Sequence, residues 1–233
     1  RYARGARAPQ VSDAYSLQSN QTVGEIETET LDSFEAGLKG QIGRLNLEIA
    51  AFAMAKDNFF FRNPNGFNVV NGKTHHKGLE VEFDVPFGDI FALDGAFTLA
   101  GHTYGFADVG RSPSNTITDG NEVDTAPQTL GFLRANLTPN DKTLVSLKWQ
   151  HMGAYFTDPG NTAKYPGHDV FTLRGQYTLT DNIRLYGRIE NVFDAPYADR
   201  ADFAFGQTML PLDTSVAEAP QNSIIGGATL WAL

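Results

Sequence analysis

Apolar and polar residues alternate along most of the chain, the period-2 signature of strands whose two faces meet different surroundings. Phe34, Ala36 and Leu38 fall on one face, and Ser33, Glu35 and Lys39 on the other. Leu45, Leu47, Ile49, Ala51 and Ala53 likewise oppose Asn46, Glu48 and Lys56, and Leu79, Val81, Phe83 and Val85 oppose Glu80, Glu82 and Asp84. Further on, Phe91, Leu93, Phe97 and Leu99 oppose Asp94, Thr98 and His102, while Val145, Leu147 and Trp149 oppose Ser146, Lys148 and Gln150. Phe171, Leu173, Tyr177 and Leu179 then oppose Thr172, Arg174 and Gln176, and Leu185 and Ile189 oppose Arg184, Arg188 and Glu190. Residues 129–137 and 222–233 alternate poorly.

Connection lengths sort into two kinds that take turns. QIGR at 41–44, PFGDI at 86–90, TPND at 138–141 and TDNI at 180–183 are tight turns. Between them lie long polar stretches rich in Gly, Pro and Asn, at 9–29, 57–70, 106–125, 152–168 and 194–220. Short turns on one rim and long loops on the other are the pattern of an outer-membrane barrel. Strand length agrees, because a tilted spanning strand needs about 9 to 11 residues and a soluble strand averages about 5 to 6. Lipid satisfies no backbone N–H or C=O, so such strands pair along their whole length. The expected fold is all-β, an antiparallel transmembrane β-barrel segment of about ten strands.

Composition narrows the function. The 233 residues contain no cysteine, which excludes disulfide scaffolds, zinc ribbons, iron–sulfur centres and thiol chemistry within them. A net charge of −9, from 18 basic and 27 acidic residues, lacks the cationic footprint of a general nucleic-acid binder, so no nucleic-acid partner is expected. No apolar run approaches the ~18 to 20 residues of a membrane-spanning helix. A mean hydropathy of −0.28 fits a barrel, since half of each strand and all of each loop meet water. The chain opens on Arg1 in what reads as the end of a strand, and a piece of a larger domain is therefore expected.

Several stretches carry a family likeness. RYARGARAP at 1–9, ETLDSFEAGLKG at 29–40, VVNGKTHHKGLEVEFD at 69–84 and, most specifically, RLYGRIENVFDAPYAD at 184–199 resemble the C-terminal part of the barrel of TonB-dependent outer-membrane receptors. The resemblance covers essentially the whole chain. It implies that residues 1–233 are a C-terminal portion of a larger barrel of about 22 strands, in the bacterial outer membrane and in contact with its lipid. It also implies transport, the uptake of a scarce nutrient such as a ferric siderophore, cobalamin or carbohydrate, and no enzyme activity. The family's plug domain, through which the TonB complex acts, is not among these residues. The usual C-terminal aromatic is replaced by Trp231, Ala232 and Leu233.

Candidate sites follow from chemistry. His75 and His76 are adjacent, so on a strand they point to opposite faces and cannot hold one ion together; no metal site or cofactor is expected. TDGNEVDT at 118–125 is rich in oxygen ligands, yet it lacks the closing Glu of an EF-hand loop and reads as an acidic extracellular loop. Lys148, Arg174, Arg184, Arg188 and Glu190 form a lumen-facing polar set, either lining a ligand path or holding a plug, or simply pairing across strands in a wet wall. Arg200, Phe203 and Phe205, in the last long loop, combine charged and aromatic groups suited to an incoming small-molecule ligand. No nucleophile or metalloprotease motif is present, and no catalytic residue is expected. Two rival readings are an autonomous small barrel acting as a passive pore and a rim-site hydrolase, for which His151 near Asp158 would be the candidate.

Overall fold

The computed structural model describes residues 1–9, 27–62, 68–110, 112–198, 200–204, 207–209 and 223–230. Its alternating segments become one ten-stranded antiparallel sheet, built in chain order. The strands are β1 (Tyr2–Arg7), β2 (Glu29–Ile42), β3 (Leu45–Arg62), β4 (Asn68–Phe87), β5 (Phe91–Tyr104), β6 (Thr129–Asn140) and β7 (Thr143–Met152), then β10 (His168–Thr180), β11 (Ile183–Glu190) and β14 (Ser223–Leu230). Two small hairpins stand apart in the loops: β8 (Tyr155–Phe156) with β9 (Lys164–Tyr165), and β12 (Asp202–Ala204) with β13 (Gln207–Met209).

The tight turns fall where turn chemistry predicts, and Gly43 (φ 62°) and Gly88 (φ 70°) supply the left-handed backbone that two of them require. Two expectations need correction, and the two weakly alternating stretches are strands like the rest. Residues 57–70 are not simply a loop, because β3 runs on to Arg62 and β4 begins at Asn68; bulges beside Asn58, itself at φ 58°, break the alternation while the ladder continues. Residues 129–137 and the stretch after 222 alternate poorly yet supply β6 and β14. The turn TPND is shifted as well, since β6 extends to Asn140 through a register shift.

Small residues in strands lie under aromatic rings of the adjacent strand. Phe52 sits opposite Gly78, Phe83 opposite Gly95 and Phe97 opposite Gly131. A Cβ on Gly78 would come within 2.6 Å of the Phe52 ring, and one on Gly131 within 2.3 Å of Phe97. Glycine there lets the ring cover the backbone of a twisted sheet, a recognised device in curved sheets.

The apolar face of the sheet is turned outward rather than buried. Phe34 is 61 % and Leu38 80 % exposed, and Ile42, Leu79, Leu99, Leu147, Leu179 and Leu185 are exposed with them. In water such a face would be an interaction liability; in a barrel it is the lipid surface. The buried cluster of the described residues lies instead under the long loops, where Tyr155, Tyr165, Ala198 and Ala201 pack together.

Candidate functional site

Strand register gathers the polar residues of the other face into continuous rows. One row runs Gln41, Asn46, Asp84, Asp94, Arg134, Lys148 and Thr172, each opposite the next across β2 to β10. A second runs Asn136, Ser146, Arg174 and Arg188. The charges segregate along these rows. Glu48, Glu82, Asp84 and Asp94 outnumber Lys39 and Arg134 around a hollow of about 780 Å³ over β2 to β6, whereas Arg134, Arg174 and Arg188 line one of about 400 Å³ over β6 to β11. Where the halves meet, Arg134 grips Asp94 with Nε (2.9 Å) and a terminal nitrogen (2.8 Å), and Asn136 adds a third donor at 2.9 Å.

The predicted polar set Lys148, Arg174, Arg184, Arg188 and Glu190 occupies this one face on β7, β10 and β11. Arg188 pairs with Glu190 on its own strand, Lys148 donates to Gln150 at 3.1 Å and lies over the Phe132 ring, and Arg174 stands directly opposite Arg188. Two like charges in register repel, and Glu190 beside Arg188 offsets that repulsion.

Above the wall, the two long loops 105–128 and 153–167 are laced together. Thr125 N–H donates to the Phe156 carbonyl (2.8 Å) and Gly160 N–H to that of Ser114 (3.1 Å). Glu122 and Asn161 exchange a reciprocal pair of bonds at 2.8 and 2.9 Å, and the Asn121 amide donates to the Pro159 carbonyl at 3.1 Å. The segment after β11 docks onto this knot, with Ala198 N–H on the Tyr165 hydroxyl (3.0 Å) and Ala201 N–H on that of Tyr155 (2.6 Å).

The stretch 118–125 is therefore a fastening. Tyr104 O–H donates to the Asp124 carboxylate at 2.5 Å. Burial pushes the Asp124 carboxyl above the usual carboxylate range, and neighbouring Asp158 adds to the rise while the Tyr104 bond and Arg200 oppose it. Arg200 is exposed and beside this knot; Phe203 lies on β12 opposite Thr208, and Phe205 lies outside the described residues.

His151 does not meet Asp158, the pairing that the hydrolase rival would need. Asp158 is fully buried and accepts the backbone N–H groups of Thr162 (3.0 Å) and Ala163 (2.7 Å), closing its own loop. His151 instead binds Asp169 through Nδ1 (2.8 Å) and the Thr129 hydroxyl through Nε2 (3.0 Å), while Trp149 Nε1–H donates to Asp169 at 2.8 Å. This hydroxyl, imidazole and carboxylate are in line, but on the face of Leu147 and Trp149, among the aromatics that mark a membrane interface. Sequence spacing had no means of finding Asp169, which reaches His151 only through the β7–β10 register.

The same is true of His76. It does not pair with His75, and its Nδ1 lies 2.8 Å from Nδ1 of His102, its register partner on β5.

A family model described as TonB dependent receptor-like, beta-barrel, matches residues 1–192. The chain is 23 % identical over 177 residues to the metal-pseudopaline receptor CntO of Pseudomonas aeruginosa, covering 72 % of this chain and 24 % of that protein. Among solved structures it is similar to the ferric-catecholate import receptor Fiu of E. coli K12, with a TM-score of 0.71 at 16 % identity over 99 % of this chain and 32 % of that one. The siderophore receptor PiuA of Acinetobacter baumannii gives 0.72 at 17 % identity, over 98 % and 33 %. The chain thus spans about a quarter of the length of the curated relative and a third of these structures.

Proposed function

Because the chain belongs to the TonB-dependent receptor β-barrel family, we propose that it forms the C-terminal part of the barrel of a receptor that takes up a scarce nutrient. It lies in the bacterial outer membrane, and the family's members named above are receptors rather than enzymes. Energy for uptake reaches the cargo through a TonB-contacting plug domain elsewhere in the whole protein. The observation that carries this reading is the sheet itself: an exposed apolar face, an opposite face that carries rows of polar residues, and long loops knotted at one rim. A wall of that kind separates lipid from a wet passage.

The relatives' descriptions, a metal-pseudopaline receptor, a ferric-catecholate importer and a siderophore receptor, favour a metal chelate as cargo. In this reading Lys148, Arg174, Arg184, Arg188 and Glu190 line the passage, and Arg200, Phe203 and Phe205 meet the cargo from the loop side. The test is accumulation of radiolabelled ferric siderophores by cells with and without the gene, in backgrounds with and without TonB. Uptake that needs both supports the proposal. Gene-dependent uptake that persists without TonB, with steady conductance from the purified protein, would identify a passive pore instead.

A further inference from the structure

Three side chains with metal-binding atoms stand in one row on the polar face, just inside the rim that carries the long loops. Met54 on β3 is opposite His76 on β4, and His76 is opposite His102 on β5. The Nδ1 atoms of the two imidazoles are 2.8 Å apart and their rings are inclined by 56°. Two nitrogens bound to one ion at ~2.0–2.1 Å lie about 2.9 Å apart when cis at a right angle and about 3.4 Å apart in a tetrahedron. Without an ion the two nitrogens share one hydrogen bond, and the same spacing matches two adjacent corners of a square or octahedral site once that proton is displaced.

A second contact is compatible with both Nδ1 atoms facing an ion. His76 Nε2 lies 2.9 Å from the hydroxyl of Thr74, which is buried. A ligating imidazole is characteristically held in this way, by a hydrogen bond from its other ring N–H, which orients the ring and sets the tautomer. With Nε2–H donating to Thr74, Nδ1 of His76 presents a lone pair toward His102. His102 gives the second lone pair once its own proton resides on Nε2, a tautomer change with no net proton release. Both rings are half-buried on the polar face, whereas His75, on the opposite face, is exposed.

The geometry points to a two-imidazole site, formed by His76 and His102 in the row that Met54 continues, for a late first-row divalent transition-metal ion. Imidazole nitrogens are borderline ligands, and among divalent first-row ions the Irving–Williams order makes copper(II) the one such nitrogens bind most strongly. Two protein nitrogens leave the remaining positions for water or for a chelator that vacates two cis positions, so the ion can arrive free or carried. The site deepens the uptake reading only in placing this ion on the passage side of the wall.

The test uses the whole protein purified from outer membranes in detergent, with copper(II) supplied as the aqueous ion, as its iminodiacetate complex with cis positions open, and as its saturated EDTA complex. One equivalent is expected to bind, with electron paramagnetic resonance hyperfine structure from two imidazole nitrogens, and EDTA-bound copper is expected not to bind. Preference for the iminodiacetate complex over the aqueous ion identifies a carried ion as the ligand, and the reverse a free one. His76→Ala and His102→Ala should each weaken binding at least tenfold, Thr74→Val about tenfold through lost orientation, and His75→Ala not at all. His102→Asn, which keeps a polar group in the row, guards against misfolding, and heat-modified migration on gels reports the intact barrel. Binding unchanged in either histidine variant, or lost instead in His75→Ala, overturns the site. Because this binding needs no TonB, such a failure leaves the receptor reading standing, whereas copper binding without TonB-dependent uptake would remove the receptor reading and keep the site.

Discussion

Replacing Asp158 by Ala should open the loop roof without disturbing the sheet. The carboxylate is completely buried and accepts two backbone N–H groups, Thr162 at 3.0 Å and Ala163 at 2.7 Å, together with the Thr162 hydroxyl at 3.2 Å. Leaving a buried donor unpaired costs about 1–3 kcal/mol, so two N–H groups place the loss at roughly 2–6 kcal/mol. Since 1.4 kcal/mol is about tenfold in an equilibrium constant, the open loop becomes at least about 30-fold more populated. Amide hydrogen exchange reads this directly, provided the amides followed are not those that lose their acceptor. Thr125, Thr157 and Gly160 qualify, because they donate to the carbonyls of Phe156, Ala163 and Ser114. Their exchange should accelerate at least about 30-fold while amides of β10 and β11 stay unchanged. Acceleration confined to Thr162 and Ala163 would show that Asp158 merely caps its own turn and that the two loops hold together without it.

Three further outcomes follow from the same geometry. Gly95→Val places a Cβ 2.8 Å from the Phe132 carbonyl and 3.0 Å from the Phe83 ring, so it should destabilise the sheet by about 1–3 kcal/mol in urea unfolding from lipid, where no loss would count against the ring-over-glycine packing. Leu38→Arg, on the exposed apolar face, should cost up to about 2–4 kcal/mol in the same assay, falling toward the interfaces, whereas Lys148→Gln on the polar face should cost little; equal effects would contradict the assignment of faces. The Asp124 carboxyl is raised in the folded protein, so its contribution is most favourable below the unfolded carboxylate pKa and is lost as pH rises through the raised value. Asp124→Asn should accordingly raise the melting temperature at pH 7 and lose that advantage near pH 3, and a variant less stable at pH 7 would refute the sign.

Much of the sheet was legible in the sequence because period 2 survives wherever one face meets lipid, as from Leu79 to Val85 and Phe171 to Leu179. It failed where a side chain on the next strand does the covering. Gly131 in β6 lies beneath Phe97, so a large residue is excluded from the apolar face at that point and the alternation fades. It failed also at Asn58, where a bulge shifts the phase of β3 and a continuing strand reads as a loop. The single-face placement of Lys148, Arg174, Arg184, Arg188 and Glu190 could be read from parity alone. The pairings His76 with His102 and His151 with Asp169 could not, because they are set by register between strands 18 to 26 residues apart in sequence, which parity does not specify.

The assignment of one face to lipid and the other to water is open to a direct check, because these 233 residues contain no cysteine and single cysteines can be introduced along β10. In intact outer membranes, cysteines at Thr172, Arg174 and Gln176 should react with a water-soluble maleimide. Those at Leu173, Tyr177 and Leu179 should resist it, and a fluorophore there should be quenched by lipid-borne spin labels. Uniform labelling along the strand, or labelling of the opposite set, would contradict a membrane-spanning wall.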